Sequence, residues 1–72
     1  MADAALTIWT VYKHPRDYPT SWVLRAHDVP GGPRVECMVC NSLEEARACV
    51  PFGLVRIPRD RNDEAQVYES WL

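Results

Sequence analysis

Residues 6–12 are rich in β-branched and aromatic side chains and are bounded by polar loop residues, a pattern that predicts a first strand. Residues 21–27 predict a second strand and residues 34–40 a third. Between these two, Asp28, Val29, Pro30, Gly31, Gly32 and Pro33 carry the densest turn chemistry in the chain, with prolines that fix φ and glycines that accept positive φ. Consecutive strands joined by short connections tend to pair, so the three segments predict an antiparallel meander.

A change to helical spacing follows. Ser42, Leu43, Glu44 and Glu45 fit a capping box, in which the Glu45 N–H donates to the Ser42 hydroxyl and the Glu45 carboxylate reaches back to the Ser42 N–H. Leu43, Ala46, Arg47 and Val50 recur at helical spacing, with the Arg47 stem covering apolar surface, and Pro51 ends the run. Residues 52–58 predict an irregular apolar connection or a brief strand, residues 59–64 a turn rich in charge, and residues 66–71 a last strand. The expected fold class is α+β. It is a small, mainly antiparallel sheet, a three-strand meander plus a C-terminal strand, with one short α-helix packed on one face and residues 1–72 in a single domain.

One short helix covers one face. Trp22, Leu24 and Ala26 share a parity and are assigned to the helix side, extended by Val35, Cys37 and Val39. The other parity then holds Trp9, Val11, Val23 and Met38, more apolar surface than a solvated sheet face carries. Two outcomes stand open: that face is an interface, or residues 51–58 fold under it and close it with Phe52, Leu54 and Ile57.

Composition narrows the function classes. The hydrophobic fraction is 47%, which is globular composition, but 72 residues lie near the lower limit for a single unstapled core. The formal net charge of −2 lacks the basic excess that drives nucleic-acid affinity, so nucleic acid is the less favoured partner. No apolar run has the length of a membrane span and the first five residues lack the features of a secretory signal, so the expectation is a cytoplasmic protein without a membrane partner. Cys37, Cys40 and Cys49 are three, and therefore cannot all pair within the chain.

Those cysteines with His14 or His27 have the ligand types of a zinc site. Residues three apart on a strand point to opposite faces, however, and a second Cys-x-x-Cys is absent, so buried thiols are expected, with no metal and no cofactor. His14, Asp17 and Tyr18 are acid–base types, but no phosphate loop or recognisable nucleophile accompanies them, and no enzyme is expected. The stretch from Lys13 to Ser21 presents Arg16, Asp17 and Tyr18 between Pro15 and Pro19, two fixed-φ residues that lower the cost of ordering them. Arg56, Arg59 and Arg61 would add a basic patch if that loop lies beside them, although Asp60, Asp63 and Glu64 interleave with them.

The run Trp9 to Pro19, the segment Ser42 to Arg47, the segment Gly53 to Arg59 and the final Glu69, Ser70, Trp71 and Leu72 resemble a group of short bacterial proteins, some carried by prophages. The resemblance covers nearly the whole chain and leaves the cysteines outside its pattern. It implies no reaction, cofactor or catalytic residue. A prophage setting implies a host protein as partner, including inhibition or regulation of a host complex.

Taken together, these readings favour a small non-enzymatic protein-interaction module. Its expected contact residues are Trp9 and Met38 on the open face, Lys13, His14, Arg16, Asp17 and Tyr18 in the loop, and Arg56, Arg59 and Arg61 beside it. A homodimer is the other use of an open apolar face. The alternative function is a nucleic-acid-associated accessory protein that binds through arginines and Tyr18.

Overall fold

The computed structural model describes residues 6–61 and 63–72. They form an antiparallel sheet with one short helix on one face, the expected α+β class. The strands are β1 (Leu6–Lys13), β2 (Trp22–Val29), β3 (Gly32–Pro33), β4 (Met38–Cys40), β5 (Arg56–Pro58) and β6 (Val67–Trp71), and α1 is Leu43–Ala48. The order across the sheet is β3-β2-β1-β6-β5, with β4 also paired to β2.

The expected third strand is split in two. Gly31 and Gly32 take positive φ to reverse the chain after β2, and Pro33 has no N–H to continue a ladder. After the Arg34 N–H donates to the Ala26 carbonyl, the backbone leaves the sheet and rejoins β2 only at Met38. Val35, placed on the helix face by parity, is instead 93% exposed.

The register corrects the other face assignments. Residues directly opposite in an antiparallel pair share a face. Trp9 is opposite Ala26, Val11 is opposite Leu24, and Met38 is opposite Leu24 from the other side, so Trp9, Val11 and Met38 belong with the helix and Val39 does not. The core is Val11, Leu24, Cys40 and Ala46, with Trp9, Trp22, Leu43, Val50, Tyr68 and Trp71 packed around it. The surplus apolar face expected from Trp9, Val11, Val23 and Met38 does not form. Nor do residues 51–58 close the open face: Phe52 is fully exposed, and β5 extends the sheet edge.

Helix α1 starts as its cap dictates, with the Glu45 N–H donating to the Ser42 hydroxyl at 3.1 Å. The Glu45 carboxylate reaches past Ser42, however, and accepts from the Asn41 N–H at 3.4 Å. The helix ends at Ala48 with Cys49 as its C-cap, and Pro51, which disfavours the α region at Val50, prevents its continuation.

Candidate functional site

The sheet positions two surfaces and one internal ion network. The network centres on Glu69 of β6, whose side chain has no exposed area. Arg47 of α1 forks onto it, with Nε donating to Oε2 at 2.9 Å and a terminal nitrogen donating to Oε1 at 2.8 Å. The Arg56 Nε donates to Oε1 at 2.6 Å and the Trp71 indole N–H to Oε2 at 2.8 Å. Burial raises the Glu69 pKa, but the hydrogen bonds from Arg47, Arg56 and Trp71 together outweigh it and lower the pKa to about 2. The carboxylate receives four hydrogen bonds from within the chain, and its role is to clamp α1 and β5 to β6. Arg56, expected at a partner surface, belongs to this clamp.

The loop after β1 is built from consecutive turns. The Tyr18 N–H donates to the Pro15 carbonyl, the Ser21 N–H to the Tyr18 carbonyl, and the His14 N–H to the Ser21 carbonyl. His14 takes φ of 49°, the left-handed region, to enter it. This geometry divides the residues expected to act together. Lys13 and His14 turn to the helix side, where the Lys13 Nζ lies 5.8 Å from the Trp22 ring centre and the His14 ring meets Trp22 edge-on at 5.7 Å. Arg16, Asp17 and Tyr18 turn to the open face.

The 59–66 turn does lie beside this loop, as the Lys13 N–H donates to the Gln66 carbonyl at 2.7 Å. It brings Glu64 and Gln66 there rather than a row of arginines: Arg59 donates to the Asp63 carbonyl, and Arg56 faces Glu69. Between the two loops lies a cleft of about 250 Å³ lined by Tyr12, Pro15, Asp17, Tyr18, Val23, Arg25, Cys37 and Glu64. A shallower depression continues it over Arg16 and Gln66. The Tyr12 hydroxyl lies 2.9 Å from the His27 Nε2. Burial, and then Arg25, lowers the His27 pKa, while burial raises that of Tyr12.

Trp9 and Met38 meet on the helix side, around a cleft of about 190 Å³ shared with Arg34, Glu36 and Cys37. The Arg34 guanidinium lies 5.8 Å from the Trp9 ring centre and forks onto Asp28 with two 2.9 Å bonds, and these bonds, followed by the Thr7 hydroxyl, hold Asp28 below the usual carboxylate range. Cys40 is buried, Cys49 is exposed, and among the described residues no three His, Cys, Asp or Glu side chains form a metal-holding group. Arg61 is exposed in its turn.

The second surface is the β5 edge. Arg56 faces the helix side, so Val55 and Ile57 face the open side, and Leu72 exchanges backbone hydrogen bonds with Val55. Val55 is 69% exposed, Ile57 40% and Leu72 38%, with Phe52 fully exposed in the turn leading to them. The sequence reading treats Phe52 and Ile57 only as cover for the sheet. No site role falls to Val55 or Arg25 from the sequence, and Glu64 enters there only as a counter-charge to the arginines, because their placement depends on pairing across the sheet.

Compared with protein-family models, with curated proteins and with solved structures, the chain has no significant match in any of the three. No helix among the described residues is long and apolar enough to cross a membrane.

Proposed function

We propose that the chain is a non-enzymatic protein-interaction module that docks a partner protein on the apolar edge formed by Phe52, Val55, Ile57 and Leu72. The observation that supports this reading is the exposure of Val55, Ile57 and Leu72 on the open side of the sheet edge, with the fully exposed Phe52 in the turn that precedes it, since exposed apolar surface of this kind typically serves an interface. Strand addition is not the mode of contact. β5 has three residues, ends in Pro58 and carries Arg56, all features that blunt an edge against pairing. The contact is therefore made by side chains, with the exposed Phe52 beside the edge available to it.

The resemblance to prophage-borne proteins favours a host protein as partner, held so that a host complex is inhibited or regulated. The nucleic-acid alternative has less support, because Arg56 and Arg59 are engaged within the chain and Asp17 and Glu64 stand beside Tyr18.

Affinity capture with the wild-type chain and with a Phe52→Asp, Val55→Asp variant tests the reading. The expected result is a partner that survives nuclease treatment and binds the folded variant at least about tenfold more weakly. Unchanged binding by the variant, or loss of every partner on nuclease treatment, overturns it. If light scattering finds a dimer that the variant converts to a monomer, the partner is a second copy of the chain.

A further inference from the structure

We propose that the cleft between the loop at residues 15–18 and the turn at Glu64 binds a small zwitterion of the α-amino-acid type, a site independent of the apolar edge. The first ground is the state of Arg25. Arg34, Arg47 and Arg56 each hold a carboxylate, and Arg59 holds a backbone carbonyl. Arg25 holds neither among the described residues, and its Nε–H is sealed from solvent without an acceptor. A guanidinium partly withdrawn from water ordinarily finds one.

The second ground is the charge around it. Asp17 and Glu64 line the same cleft, and neither pairs with Arg25. A simple anion entering there meets two carboxylates, and a simple cation meets the guanidinium. A molecule carrying both signs a few atoms apart satisfies both, with its carboxylate on the terminal nitrogens of Arg25 and its ammonium toward Asp17 and Glu64. Tyr12 stands between these fields: after burial, its pKa is set by Arg25, which lowers it, and by Glu64, which raises it.

The walls complete the fit. Pro15, Val23 and the rings of Tyr12 and Tyr18 offer apolar surface for one aliphatic or aromatic side chain. At about 250 Å³ the cleft is smaller than pockets that hold drug-sized molecules and suits a single amino acid. The Tyr12 hydroxyl, fixed on His27, holds its ring in place as one wall.

Titration of the ¹⁵N-labelled protein with L-leucine, N-acetyl-L-leucine and L-leucine amide, followed by NMR, tests this site. L-leucine is expected to give saturable shifts at Tyr12, Asp17, Tyr18, Arg25 and Glu64. Each blocked compound, lacking one charge, is expected to bind at least about tenfold more weakly. Arg25→Met and Glu64→Gln are expected to weaken L-leucine to a similar extent while the spectrum stays dispersed. Four results overturn the proposal: no saturable shift with L-leucine, equal binding of the N-acetyl compound, equal binding of the amide, or undiminished binding by Glu64→Gln. Because Glu64 lies in an exposed turn, that last variant remains informative even if Arg25→Met fails to fold.

Discussion

Glu69 has no exposed side-chain area, yet it remains ionised because Arg47, Arg56 and Trp71 deliver four hydrogen bonds to its two oxygens. Replacing it by Gln keeps the shape and removes the charge that both guanidiniums face. The expected loss is about 2–4 kcal/mol by urea unfolding, tempered because Arg47 and Arg56 are partly exposed and regain water. The same carboxylate sets an acid limit. Its folded pKa of about 2 lies below the ordinary 4.5, so the stability it contributes is complete above about pH 4.5 and is lost as pH falls toward 2. The amount is on the order of 3 kcal/mol, and Glu69→Gln should flatten that part of a pH–stability curve. His27 acts at higher pH. Its folded pKa is depressed below 6.5, so protonation favours the unfolded chain and stability falls as pH drops below about 6.5. Comparing urea midpoints of wild type and His27→Gln between pH 7.5 and 5.5 checks this: the variant should show the smaller decline.

The elements show which kinds of order can be read along a chain and which arise only when strands meet. Ser42 is legible as a cap because capping is local, and Ser42→Ala should cost about 1 kcal/mol, measured as a lower urea midpoint with helix content otherwise retained. β1, β2 and β6 are legible for the same reason, from β-branched and aromatic runs, whereas the short β3 and β4 form only where the chain meets β2. Their facing is not. Within β2, parity groups Trp22, Leu24 and Ala26 correctly, but matching that set to β1 and β4 requires the register. One residue of slip sends Trp9, Val11 and Met38 to the wrong side. The clamp left two faint signals: Arg47 occupies an apolar-face position of the helix, and Glu69 shares the parity of Trp71. Only the fold joins residues 22 positions apart into one ion network.

At the scale of the molecule, the cluster of Val11, Leu24, Cys40 and Ala46 with its neighbours makes a small core, so the clamp, the cap and the rings around Trp22 carry more of the stability than they would in a larger domain. The β5 edge and the zwitterion cleft both lie on the open face, and a partner covering the whole face would close the cleft. The strand order has a separate consequence, for the path by which the chain folds. β1 and β2 form one hairpin and β5 and β6 another, each from residues close in sequence, and the sheet joins them along the single seam where β6 meets β1. Arg56 and Glu69 lie within the second hairpin, whereas Arg47 reaches it from the helix. The second hairpin can therefore assemble locally and dock late, with closure of the β1–β6 seam as the slow step. Mutations along that seam should slow refolding, and those at the β5 edge should chiefly speed unfolding.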